Sequence, residues 1–167
     1  MKIRLAQASD EAVLLQMARA MHAESRFAHF PLQEEQLRTL IAETLKDPKG
    51  RCILLAESAA AGVVGMLGGY VLPLFFTQAF IAQDQFFYVL APHRGSSAAA
   101  KLLLAFERWA VNRQVHEINI NMSVAIDMER FDRFMTHAGY RSCGQNYFKP
   151  TRQRAAAAAS PRASAAG

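Results

Sequence analysis

Cysteine is scarce in this chain, and what little there is shows no metal-binding pattern. The 167 residues contain two cysteines, Cys52 and Cys143, and five histidines. No Cys-x-x-Cys pair or Cys/His spacing suits zinc, and no two histidines stand four residues apart, where one helix face could offer both to an ion. Two ordinary free thiols and no metal are expected. Two nucleotide signatures are also missing. No Gly-x-Gly-x-x-Gly follows an apolar strand, and no Gly-Lys-Ser/Thr closes a phosphate loop, which excludes the usual dinucleotide-binding and P-loop architectures. Nor is there a clean apolar run. The richest stretch, residues 62–81, is broken by four glycines, Pro73, Thr77 and Gln78, so it does not read as a membrane span. The opening MKIRLAQASD carries charges and no long apolar region, and reads as neither signal peptide nor anchor. These absences point to a cytoplasmic protein with no membrane partner.

Acid is absent from the last segment. Residues 151–167 hold Arg152, Arg154 and Arg162 against no carboxylate, so of the formal net charge of +5 only +2 belongs to the first 150 residues. That nearly balanced body argues against specific nucleic-acid recognition. The tail is low in complexity, its five-alanine run is too short to hold a helix alone, and a weak, salt-sensitive attraction to polyanions is all it implies. With 51% apolar and 20% charged residues, the rest is ordinary for a globular chain able to bury a core. One folded domain over residues 1–150 and a tail over 151–167 are therefore expected.

Periodicity supplies the elements. Residues 3–6 read as a short strand, followed by a helix capped by Ser9 and faced by Leu14, Met17, Ala18 and Met21. A second helix presents Leu37, Leu40, Ile41 and Leu45, and Pro48 and Gly50 stop it. Strands are expected over residues 52–57, 62–71 and 83–90, then a helix, a strand over 116–123, a last helix through Met128, Phe131, Met135 and Ala138 ended by Gly139, and a final strand over 140–149.

The densest information lies in residues 86–104, FFYVLAPHRGSSAAAKLLL, which join an apolar strand, a Pro-His-Arg-Gly turn and an amphipathic helix. Amide groups at a helix start lack intrahelical partners, and a turn that presents them with the helix dipole behind makes an anion site. Leu102, Leu103, Phe106, Trp109 and Ala110 recur at helical spacing, so one face of this helix packs on a sheet.

The order strand, VLAPHRG, small-residue run, KLL resembles the acetyl-coenzyme A segment of the GNAT acetyltransferase superfamily, whose pattern is Arg/Gln-x-x-Gly-x-Gly/Ala. Here it reads Arg94-Gly95-Ser96-Ser97-Ala98-Ala99. Arg94 and Ala99 match, and the middle glycine is Ser97, whose small side chain keeps the backbone approachable and whose hydroxyl can donate to a phosphate. A second segment, FMTHAGY at residues 134–140, is similar to the family's leucine-tyrosine-x-x-x-glycine-phenylalanine. Gly139 and Tyr140 fit, but Met135 stands where the family often has a general-acid tyrosine, and Met128 stands where an asparagine is often found.

The resemblance implies a mixed, mostly antiparallel sheet with a splayed strand pair, flanked by about four helices. It further implies an acetyl-coenzyme A dependent N-acetyltransferase, with acetyl-coenzyme A as co-substrate and a small-molecule or protein amine as acceptor; a homodimer stays open. Tyr88, Val89 and Leu90 would border the pantetheine arm, and Arg94, Gly95, Ser96, Ser97, Ala98 and Ala99 the pyrophosphate. By its place on the strand, Asp84 is the candidate general base. Glu24, Asn121 and Ser123 are candidate acceptor contacts, and the aromatics Phe75, Phe76 and Phe80 are the set best placed to line an acceptor pocket outside the core. The competing reading is a catalytically degenerate module that keeps the fold and binds acyl-coenzyme A or a protein partner.

Overall fold

In the computed structural model, residues 1–121 and 127–144 are described. The expected final strand falls partly outside them, and its described part, residues 140–144, forms no strand. Ser123 and the 151–167 tail also lie outside.

The chain opens with β1 (Lys2–Leu5), a 3-10 turn over Ala8–Asp10, α1 (Glu11–Glu24) and α2 (Glu34–Lys46). The helix entry differs from expectation. Asp10, not Ser9, organises it, accepting the Gln7 amide at 2.7 Å and both outer nitrogens of Arg4 at 2.6 and 2.7 Å. A carboxylate can hold a guanidinium and an orphan amide together, which one serine hydroxyl cannot. Arg4 also reaches Glu57 at 2.7 Å and so fastens this entry to the sheet.

Next come β2 (Arg51–Ser58), β3 (Gly62–Pro73), β4 (Phe80–Val89), α3 (Ala98–Val111), β5 (Glu117–Asn119) and α4 (Met128–His137). Among the described residues the five strands lie in the order β1-β2-β3-β4-β5. Every pair is antiparallel except β4 with β5, which is parallel. The expected fold class is the one observed.

Each face of this sheet carries its own apolar layer. Leu54, Leu67, Ala82 and Val89 pack under Leu102, Phe106 and Trp109 of α3, whereas Ile53, Leu55, Met66 and Tyr88 pack against Leu14, Met17 and Ile41 of α1 and α2. Strand residues alternate between the layers, which is why β2 and β3 are apolar at nearly every position rather than every second one.

An irregularity in β4 positions the site. Phe86 pairs with Gly68 and Asp84 with Gly69, leaving Gln85 as the extra residue of a bulge. A bulge shifts the alternation by one, so Ala82 and Asp84 face α3 before it, and Phe87 and Val89 face α3 after it. The backbone lies close beneath α3 at Gly69, where an added Cβ would lie 2.6 Å from the Gln83 carbonyl oxygen and 2.6 Å from the Phe106 ring. Gly69→Ala should therefore cost about 1–3 kcal/mol in chemical denaturation through overpacking, with the same change at the open position Gly62 as a poor comparator only because its φ is +69°.

Candidate active site

Strands β4 and β5 share a short parallel ladder, Ile81 with Glu117, Ala82 with Ile118 and Gln83 with Asn119, and then part. Of the strand expected over residues 116–123, residues 117–119 form β5, 116, 120 and 121 do not, and 122 and 123 lie outside the described residues. Where the ladder ends, the Asp84 carboxylate stands in for it. Its Oδ1 accepts the Asn121 backbone amide at 2.7 Å and the Asn121 side-chain amide at 3.2 Å. Asp84 is only 5% exposed. Burial pushes its carboxyl up to about 6, against the opposing pull of the Asn121 hydrogen bonds. The result is a carboxylate that is ionised at neutral pH yet basic enough to take a proton.

Beyond the parting, no described strand pairs with β4 on its β5 side, and that edge is open among the described residues. Tyr88 lies opposite Met66 and the Leu90 amide donates to Val64 O at 3.0 Å, so antiparallel alternation turns the amide and carbonyl of Val89 to the open side. The expected neighbours of the pantetheine arm divide accordingly. Val89 offers backbone, whereas the Tyr88 side chain is buried on the α1 and α2 face.

The chain then makes a 3-10 turn over Ala91–His93 and enters α3. Gly95 has φ +91°, a conformation open to glycine and costly for other residues. Gly95, Ser96 and Ser97 are exposed, while Ala98 is buried. The Ser96 hydroxyl accepts the Ala98 amide at 3.2 Å, and Lys101 closes the first helical bond onto Ser97 O at 3.0 Å. The amides of Gly95, Ser97, Ala99 and Ala100 have no hydrogen-bond partner among the described residues, and the Ser97 hydroxyl makes no cap bond. Unpaired amides at an exposed helix start, on small residues, fit an anionic ligand such as a pyrophosphate.

Arg94 does not point at these amides. Its Nε donates to Val89 O at 3.0 Å, its Nη2 donates to Glu24, and its guanidinium sits 5.4 Å from the centre of the Tyr88 ring. The other Glu24 oxygen accepts the Tyr88 hydroxyl at 2.5 Å. Burial alone would raise the Glu24 carboxyl, but the Tyr88 and Arg94 hydrogen bonds, with the Arg94 charge, outweigh it and hold the group below its ordinary value. The Tyr88 hydroxyl is pushed up to about 12 by burial and by Glu24. Glu24 is therefore a fixed anion that ties α1 to β4 and the loop across 70 positions of sequence, a pairing that periodicity gives no means of anticipating.

Three further placements bear on the sequence expectations. Phe75 and Phe76 are 97% and 72% exposed at the far end of β4, about 30 Å of strand away from the loop, so they do not line this site. An apolar groove of about 500 Å³ instead follows α1, lined by His22, Phe27, Phe30, Leu32, Leu37 and Leu40. Met135 is buried on α4 and has no proton to give. A residue the sequence did not single out is Arg130, in the first turns of α4. A Cβ built on Gly95 would lie 3.1 Å from its Nη2.

A parting strand pair, a strand-to-helix loop of unpaired amides and helices on both faces define an acyltransferase type of fold. The sequence pattern of the acetyltransferase (GNAT) family matches residues 16–140, and the chain belongs to that family. Solved structures agree on the fold. An aminoglycoside antibiotic 6′-N-acetyltransferase from Acinetobacter haemolyticus superposes with a TM-score of 0.68 at 18% identity, covering 92% of this chain and 99% of that one. A ribosomal-protein-alanine N-acetyltransferase from Brucella melitensis biovar Abortus 2308 gives 0.66 at 19%, covering 90% and 99%. An aminoglycoside acetyltransferase from an uncultured soil metagenomic sample, solved with trehalose, gives 0.70 at 16%, covering 90% and 96%. No curated protein matches the chain. Among the described residues, no helix is long and apolar enough to cross a membrane, and no three His, Cys, Asp or Glu side chains group as a metal site.

Proposed function

We propose that this chain transfers an acetyl group from acetyl-coenzyme A to a primary amine, directly, within a complex of both substrates in the cytoplasm. The observation that carries the reading is the set of unpaired amides at Gly95, Ser97, Ala99 and Ala100 beside the open edge of β4. Those amides and the Ser97 hydroxyl would hold the pyrophosphate, and the Val89 backbone would pair with the pantetheine arm as an added strand does. Val89 O is reached at present by Arg94, so the Val89 amide is the group free to make that contact.

At the parting of the strands Asp84 would accept a proton from the acceptor ammonium, directly or through water, freeing its lone pair to attack the thioester carbonyl. As the adduct collapses its nitrogen gives up a second proton to water, the carbon–sulfur bond breaks, and the coenzyme A thiolate leaves with its electron pair and takes a proton. With Met135 in place of an acid, that last proton comes from solvent, and the rate rests on how well the thioester is oriented. The acceptor would be a small molecule or a protein with a primary amine, and the groove after α1 could take its apolar part. The solved relatives include enzymes named for aminoglycosides and for a ribosomal protein, which leaves both acceptor classes in the screen.

One observation favours a second reading. Met135 removes the usual acid, and a module that binds acyl-coenzyme A without turning it over would have the same loop. Calorimetric titration with acetyl-coenzyme A, with adenosine diphosphate as control and a variant lacking residues 151–167 alongside, tests the shared part. Saturable binding that survives loss of the tail is expected; no binding overturns both readings. Release of free thiol in an amine screen then separates enzyme from module.

A further inference from the structure

The loop that would hold pyrophosphate has two arginines near it, and they are not equivalent. Arg94 comes from the loop itself, and the family resemblance assigns it to the phosphates. Its charge is already matched by Glu24, and its guanidinium is engaged by Val89 O and laid against Tyr88. Moving it onto a phosphate would leave Glu24 a half-buried anion beside an incoming dianion, an arrangement whose electrostatics oppose binding.

Arg130 comes from another element. The Asp127 carboxylate caps α4 by accepting the Arg130 amide at 3.1 Å, which fixes the backbone of this turn. Helical side chains lean toward the amino-terminal end of their helix, and here the guanidinium arrives beside Gly95, with Nη2 3.1 Å from the position a Cβ would take. Among the described residues this guanidinium makes no hydrogen bond or ion pair. Its neighbour Arg133 is paired with Glu129 at 3.6 Å. Among the described residues Arg130 is therefore the exposed cation beside the loop that no acid compensates.

On the reading of the loop proposed above, we infer that Arg130 supplies the guanidinium that grips the pyrophosphate, while Arg94 is a positioning residue that locks the loop to β4 and α1 through Val89 and Glu24. A planar fork suits this task, since two of its N–H groups can meet two phosphate oxygens at once. The arrangement also ties α4 to the ligand, so that the helix carrying Met135 would be drawn to the thioester by the phosphates at its other end.

The test is calorimetric titration of the full chain and of Arg130→Gln and Arg133→Gln with coenzyme A and with 3′-dephospho-coenzyme A, each at two salt concentrations. Circular dichroism verifies that the exposed substitutions leave the fold intact. Arg130→Gln should weaken both ligands about tenfold and reduce the salt dependence of binding, and Arg133→Gln should do neither. Unchanged affinity in Arg130→Gln would overturn the inference while the loop reading stands. So would a loss confined to coenzyme A, which would move Arg130 to the 3′-phosphate, or an equal loss in Arg133→Gln, which would reduce the effect to general charge. If the unaltered chain binds neither ligand, the loop reading fails first and takes this inference with it.

Discussion

Asp84→Asn is expected to slow acetyl transfer about 10²–10⁴-fold, the usual contribution of a positioned general base, and at the same time to make the protein more stable at neutral pH. The two effects share a cause. Burial raises the carboxyl from 3.8 to about 6, so the folded chain holds the proton more tightly than the unfolded chain does. The stability this contributes is fully present below about pH 4 and is lost as pH rises through 6. At pH 7 the native state therefore contains a buried anion whose ionisation works against folding by at most about 3 kcal/mol. Asparagine removes that charge and keeps an oxygen for the Asn121 amide, so the junction of β4 and β5 is preserved. Activity should trace the same group: kcat/KM of the unaltered enzyme should rise through a limb near pH 6, and the limb should vanish in the variant. Full activity in Asp84→Asn would remove the residue from the chemistry and leave it a purely architectural role at the end of the ladder.

That double role illustrates what a linear reading can and cannot reach. The order of elements was legible because apolar periodicity reports burial: β2 and β3 appear within a few residues of their observed ends and α2 and α3 by their apolar faces, while the mixed sheet flanked by helices was implied by the family resemblance. Asp84 was chosen by its place on a strand, and nothing in its neighbours announces the bulge at Gln85, which sets the face on which the carboxylate lies. The shortening of β5 is likewise invisible. Residues 120–123 keep a strand-like composition, and what ends the pairing is the Asn121 amide turning to a side chain of the adjacent strand. The cap at α1 was misplaced for a related reason. Ser9 and Asp10 are both good capping residues, and the choice between them is made by Arg4, whose partner in β2 is Glu57. Similarly, the Phe75 and Phe76 hairpin tip looks in sequence like any aromatic wall, and only the direction of β3 and β4 sends it away from the loop. Arg94 matched a motif, but the ion pair with Glu24 and the approach of Arg130 to Gly95 join elements far apart in the chain. Such contacts arise from packing, which local pattern does not encode.

The loop offers the other large effect. Gly95→Trp should abolish saturable binding of acetyl-coenzyme A at concentrations that saturate the unaltered protein, a weakening of at least about 100-fold, without unfolding the chain. Three consequences of one substitution act together. At φ +91° a side chain strains the backbone by about 1–2 kcal/mol, and the loop relieves this by turning its amides from their present direction. The indole would also cover the exposed start of α3, where amides to a charged oxygen are each worth about 1.5–3 kcal/mol. Finally, the new Cβ meets Arg130 at 3.1 Å and displaces the guanidinium. Losing two amide contacts would by itself account for about 10²-fold or more. The fold should survive, because Gly95 is exposed and the buried layer under α3 begins only at Ala98. A thermal transition close to that of the unaltered chain, together with no titratable heat from acetyl-coenzyme A, is the expected pair of results. Retained affinity would place the phosphates elsewhere. Ser97→Trp, two residues further on and at ordinary φ of −72°, then separates the causes: it blocks the same amides without the backbone strain, so a comparable loss there would assign the effect to the covered amides rather than to a distorted loop.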